Sequence, residues 1–223
     1  MSESVAQISA RSREAILNAL KNNGYKDENF EFGDSPNPVG HIISDYENPV
    51  KDMKRKMAEN KYVVEECDGE AALADKINEI VASYGFESFI YGKSLEPELV
   101  EKINAKSKLL FDKEIENVRK DVFHTDFSVV KAKFGISSHG TACVVSSPEQ
   151  PRMLSLAPML LIVLLRKEDV VVSMAEALNA VKAENEKLPN NILFIAGPSR
   201  TADIELITVF GVHGSQKAHI IIY

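Results

Sequence analysis

Apolar residues recur at helical spacing near the start of the chain. Val5, Ile8, Ala15, Ile16, Ala19 and Leu20 fall on one face of a helix over residues 4–22. Ser4-Val5-Ala6-Gln7 reads as its capping box and Gly24 as its stop. Residues 25–49 hold Pro36, Pro38 and Pro49 among Gly, Asn and Asp, the composition of an irregular arm. From residue 50 the pattern alternates between helix and strand. Helices are predicted at 50–60, 70–84 and 96–107, and strands at Tyr62–Cys67, Ser88–Tyr91 and Leu109–Phe111. Val122–Lys133 and Thr141–Val145 read as strands around a glycine corner at Gly135–Gly140. Met159–Leu165 and Ile192–Ala196 are continuous apolar runs, predicted to be neighbouring interior strands buried on both faces. Ser173 opens a helix that ends near Pro189, and Ala218–Tyr223 is the last strand.

This order predicts an α/β fold, with a largely parallel central sheet and helices on both faces. The domain spans 50–223, with an N-terminal helix and irregular arm over 1–49. An arm this long is unusual inside a compact domain. The first helix is therefore expected to pack outside the domain or against another chain, which leaves a homo-oligomer open.

Composition narrows the function. Net charge is −7 and the pI about 5.4, so the chain lacks the basic surface that nucleic acid or an anionic membrane requires. The most apolar run, LAPMLLIVLL at 156–165, is too short to span a bilayer and contains Pro158. The N-terminus has no signal-peptide core, and a cytoplasmic protein is expected. The two cysteines, Cys67 and Cys143, form no CxxC motif and cannot supply the four ligands of an ordinary iron–sulfur cluster.

Most chemical motifs are absent. No G-x-G-x-x-G follows a strand and no Gly-Lys-Ser/Thr ends a P-loop. Gly135-Ile-Ser-Ser-His-Gly140 misses the nucleophile elbow by one residue. His139, Cys143, Asp203, His213 and His219 show no metal-ligand spacing, so no metal and no bound cofactor are expected.

FIAGPSRTADIELITVFGVHG at 194–214 remains. A strand run stops at Gly197-Pro198, and Ser199, Arg200, Thr201, Asp203 and Glu205 follow at once. The expected geometry places these side chains at the carboxyl edge of the sheet, where α/β folds bind ligands. Ser199 or Thr201 would cap a short helix whose free amides face an anion, and Arg200 would add a planar fork. Gly211, His213 and Gly214 form a second close loop. Ser138, His139, Gly140 and Thr141 are the expected opposite wall. The alternative is a structural clasp in which Arg200 pairs with Asp203 or Glu205.

GPSRTADIE at 197–205, GVHG at 211–214 and GTACVVSSPEQPRMLSLAP at 140–158, with SREAIL at 12–17, resemble the lactate-utilization protein C family, the LUD domain. The resemblance implies a fold of the NagB/RpiA/CoA-transferase kind. It also implies a part in oxidising L-lactate to pyruvate beside partner subunits that bear iron–sulfur clusters. Where the family usually reads Ala-Glu-Thr-Gly-Thr, this chain has Ser137-Ser138-His139-Gly140-Thr141. The usual carboxylate is Ser138 here, with His139 the nearest substitute base. Three readings follow: an accessory component that binds a small anionic or nucleotide-like ligand; a CoA-transferase-like or ligase-like enzyme using His139, Asp203 or Glu205; and a purely interacting subunit.

Overall fold

A computed structural model describes residues 5–22, 44–112, 115–202, 208–211 and 213–223. The chain divides into two units, Met1–Gly40 and His41–Tyr223. In the first, α1 spans Val5–Asn22, where apolar positions recur at helical spacing.

The second unit is built on runs that cannot tolerate water on either side. Leu160–Leu165 forms β7, with all six residues buried. It lies between β12 (Lys217–Ile222) and β4 (Phe127–Lys131), parallel to both. β1 (Val63–Glu66) closes one edge beside β12, while β2 (Ser88–Tyr91) and β3 (Ser107–Leu110) extend the other. The result is a six-stranded, all-parallel sheet in the order β1-β12-β7-β4-β2-β3.

Side chains alternate across this sheet and feed two cores. Leu160, Ile162 and Leu164 pack with Leu73, Ile77 and Ile80 of α3 (Leu73–Tyr84) and with Val100 of α4 (Pro97–Lys102). Leu161, Val163 and Leu165 face Met53 and Met57 of α2 (Pro49–Glu59) and Val118 and Val122 of α5 (Ile115–Phe123). The expected parallel sheet with helices on both faces is therefore present. The second face also carries a four-stranded sheet in the order β8-β5-β6-β9. Its strands are β5 (Phe134–Ile136), β6 (Thr141–Val145), β8 (Val170–Val171) and β9 (Ile192–Ile195). Outside it lies α6 (Met174–Glu184), started by the Ser173–Glu176 capping box and packed on Ile136 and Cys143 through Ala177.

Several sequence expectations are corrected. Ile192–Ile195 is not a neighbour of β7, because it pairs antiparallel with β6. Its run is apolar because Leu193 and Ile195 meet the central core while Ile192 and Phe194 meet the α6 core. The strand expected from Val122 begins at Phe127, because α5 continues to Phe123. Asp126 fixes the corner between them by accepting from Glu87 N, Ser88 N and Ser88 Oγ. The helix expected over 96–107 ends at Lys102, where Ile103 turns extended.

His219 sits inside β12, buried, with Nε2 2.8 Å from Tyr84 Oη. Burial, helped by Lys217, pulls its pKa down to about 4. Glu65 lies 4.0 Å from Nδ1, but the neutral ring makes this no ion pair. The unfolded chain protonates this imidazole below about 6.5 while the folded chain does not, so protons favour unfolding. Stability should fall by about 3 kcal/mol as pH drops from about 6.5 to about 4. Urea titrations across this window check the slope, which His219→Gln should flatten.

Candidate functional site

The turn joining β5 to β6 is held against α2. Ile136 pairs with Thr141, leaving residues 137–140 as the loop. Ser137 N and Ser138 N donate to Val171 O and Val172 O at 2.9 and 3.0 Å. Gly140 has φ 60°, and a Cβ there would stand 2.6 Å from Lys56 C and Met57 N. Only glycine allows the loop this close to the last turn of α2. Ser138 Oγ lies 2.7 Å from His139 Nδ1, with His139 half-buried. The Ser137 and Thr141 hydroxyls are buried and have no hydrogen-bond partner among the described residues.

The second corner presses on the same helix end. Gly197, with φ 125°, directly follows β9 and Ala196, and a Cβ would lie 2.2 Å from Asn60 O. The Tyr62 hydroxyl donates to Ile195 O at 3.3 Å, and burial pushes its pKa up. Arg200 is exposed and turns its fork onto one residue: Nη1 donates to Asn60 O at 3.1 Å and Nη2 to Asn60 Oδ1 at 3.4 Å. Asn60 Nδ2 in turn donates to His139 O at 3.2 Å.

Asn60 therefore joins two glycine corners that lie some 60 residues apart in the chain. Sequence reasoning missed it, because locally it is an ordinary helix-ending asparagine. Nothing in the pattern around residue 60 signals the partners that folding brings. Both acceptors offered to Arg200 are neutral, so Asn60 orients the guanidinium without cancelling its charge.

Two geometric expectations fail here. No helix starts after Pro198: Arg200–Ala202 is a strand, β10, paired antiparallel with β11 (Thr208–Phe210). Ser199 and Thr201 thus cap nothing, and Ser199 N donates to Ser215 O while Gly211 N donates to Ser199 O, both at 2.8 Å. Nor does the corner stand at the carboxyl edge of the central sheet. It sits beside Tyr62 and Ser215, which precede β1 and β12, and so at the amino edge. The reason is that Gly197 leaves the second, antiparallel sheet. Gly214 packs against Ser199, a Cβ there standing 3.1 Å from Ser199 Cβ, and His213 is exposed. Asp203 and Glu205 lie outside the described residues.

The carboxyl edge carries a different feature. A cavity of about 190 Å³ there is lined by Glu70, Glu96, Lys131 and Tyr223 among others. Two of its carboxylates are paired: Glu96 with Lys131, which holds it below the ordinary range, and Glu70 with Arg166. Among the described residues no group of three His, Cys, Asp or Glu side chains could hold a metal ion, and no helix is long and apolar enough to cross a membrane.

Comparison with known proteins adds to this geometry. Uncharacterized protein YkgG of Escherichia coli K12 is 43% identical over 93 residues, covering 40% of each chain. Lactate utilization protein C of Bacillus pumilus is 40% identical over 95 residues, covering 41% of this chain and 40% of the relative. Its namesake in Bacillus subtilis is 32% identical over 114 residues, covering 50% and 47%. The chain thus spans less than half the length of each of these relatives. The solved structure of a DUF162 family protein from Deinococcus radiodurans has the same fold, with TM-score 0.60 at 16% identity over 81% of this chain and 99% of that one. The LUD domain profile matches residues 50–223, covering the whole α/β fold and both glycine corners, and the chain belongs to the LUD domain family.

Proposed function

We propose that the protein is a cluster-free component of L-lactate oxidation to pyruvate, working beside partner subunits that carry iron–sulfur clusters. It binds a small anion where the two corners meet at Asn60. The first part draws on the relatives named Lactate utilization protein C. The second rests on one observation: the Arg200 fork is held in place by two neutral oxygens of a single residue and remains exposed. An oxyanion could add to a guanidinium already oriented, so little side-chain entropy is lost on binding. Ser138, His139 and Thr141 supply the facing wall, Gly197, Ser199, Thr201, Gly211, His213 and Gly214 the near one, and Asp203 and Glu205 belong to the same segment.

The chain's own thiols suit this role. Cys67 is half-buried, Cys143 is buried, and burial raises the Cys143 pKa to about 11. The Ser138–His139 contact favours one further reading, in which His139 acts as the base of an enzyme. Affinity purification from native cells grown on L-lactate tests the proposal. Iron and acid-labile sulfide should appear only with co-purifying subunits, and the isolated chain should be colourless. Stoichiometric iron and visible absorption in the isolated chain would overturn it, and so would the absence of any iron-bearing partner.

A further inference from the structure

The loop between β6 and the turn at residues 152–155 carries the Ser-Ser-Pro-Glu-Gln-Pro-Arg stretch, which the site at Asn60 does not use. Gln150 anchors it. Its side chain is buried, with Oε1 accepting from Lys131 N at 2.8 Å and from Ser94 Oγ at 3.2 Å. Its Nε2 donates to Lys131 O at 3.0 Å and to Val145 O at 3.3 Å. Ser147 closes the loop, its Oγ accepting from Glu149 N and Gln150 N, each at 3.1 Å. A buried amide with all its capacity used fixes the neighbouring backbone rigidly.

This fixed loop forms one wall of an open cleft of about 780 Å³, and the segment from the end of α6 to the start of β9 forms the other. Arg152, Ser146, Ser147, Asn185, Asn190 and Asn191 supply its polar lining, with Leu188 and prolines on the apolar side. Among the described residues no carboxylate lines it. Arg152 is exposed, and among the described residues its guanidinium has no partner. Glu149, three residues before Arg152, is held below the ordinary range by the Ser147 hydroxyl and by its own backbone N–H, with Lys93 adding to the effect.

The polar groups differ in what they can offer. Asn185 Nδ2 gives one of its two N–H groups to Val181 O, which leaves the other as a donor and its Oδ1 as an acceptor. Asn191 Oδ1 takes the Ser146 hydroxyl, which leaves its Nδ2 as a donor. Donors and acceptors lining one cleft suit hydroxyl groups, which both give and take hydrogen bonds. An unpaired guanidinium suits phosphate or carboxylate. Size separates these ligands. A cleft this large belongs to molecules well beyond a three-carbon acid, since ligand pockets of about 300–1,000 Å³ hold drug-sized compounds.

We infer that this cleft is a second binding site, taking a nucleotide-sized phosphate ester with its phosphate on Arg152 and its hydroxyls on Asn185 and Asn191. The inference is independent of the site at Asn60. Titration calorimetry with AMP tests it, with adenosine, inorganic phosphate and L-lactate as comparison ligands. AMP should bind, and each comparison ligand should bind more weakly. Arg152→Ala should weaken AMP by about 10- to 100-fold, the range expected for a lost charge-assisted pair. Asn191→Asp, which places a carboxylate in the lining, should weaken it as well. Both positions are exposed or half-exposed, and unchanged melting curves would show that the variants fold. Arg200→Ala should leave AMP binding intact. No binding of AMP would overturn the inference, as would equal binding by Arg152→Ala. Adenosine or inorganic phosphate binding as tightly as AMP would overturn the ligand class. Loss of AMP binding in Arg200→Ala but not in Arg152→Ala would assign the ligand to Asn60 instead.

Discussion

Leu161→Asp should abolish the folded state. Leu161, the second residue of β7, is 2% exposed and lies level with Ala218 on one side and Ser128 on the other. Its side chain enters the core formed with α2 and α5. A carboxylate there has no cation to pair with among the core residues, and burying one unpaired costs several kcal/mol. Small domains are stable by only about 5–15 kcal/mol in total, and the substitution also removes the leucine packing. The variant should lack a cooperative thermal transition by circular dichroism. Leu161→Met, which keeps the volume, should lose less than about 1.5 kcal/mol. A native-like transition in Leu161→Asp would mean that β7 is not the centre of the sheet.

Gly197→Ala should be the most damaging conservative change in the candidate site. The backbone there has φ 125°, outside the range that residues with a Cβ readily adopt. The added carbon would also stand 2.2 Å from Asn60 O, a backbone atom that cannot swing away. Backbone strain of about 1–2 kcal/mol and overpacking of about 1–3 kcal/mol act together, for a loss of about 2–5 kcal/mol. Urea unfolding measures it. Because Asn60 O also receives Arg200 Nη1, the same change should displace the guanidinium and weaken any anion bound there. A loss below about 0.5 kcal/mol, the range of ordinary surface changes, would show that the corner does not rest on α2.

Much of the fold was legible because central parallel strands leave a strong pattern. β7 is buried on both faces and reads as an unbroken apolar run, and β12 does so over Ile220–Ile222. The Ser173 capping box and the glycine after α3 also carry their local signals in the sequence. The same rule misled at β9, where two different cores, one on each face, produce the same run in an antiparallel edge strand. That single misplacement moved the Gly197 corner to the wrong edge of the central sheet. The glycines at 140 and 197 stood out as corners of the chain, but what they pack against did not. Their common partner is the end of α2, and contact at that distance along the chain leaves no local periodicity. Arg200 was recognisable as a charge set on a corner. Its neutral partner was not, since the carboxylates in its own segment were the nearer candidates in sequence.

The most direct measurement is the shift in melting temperature produced by small anions, taken on the native protein and on Arg200→Ala. L-lactate, pyruvate, inorganic phosphate, CoA and nucleotides are the probes. Arg200 is exposed and bonded only to neutral oxygens of Asn60 in the described residues, so its removal should lower basal stability only modestly, by about 1–2 kcal/mol. At least one anion should raise the melting temperature of the native protein and leave that of Arg200→Ala unchanged. If no anion shifts the native protein, or if every anion that does so shifts Arg200→Ala equally, then Arg200 and Asn60 form a structural clasp and the two corners do not bind an anion.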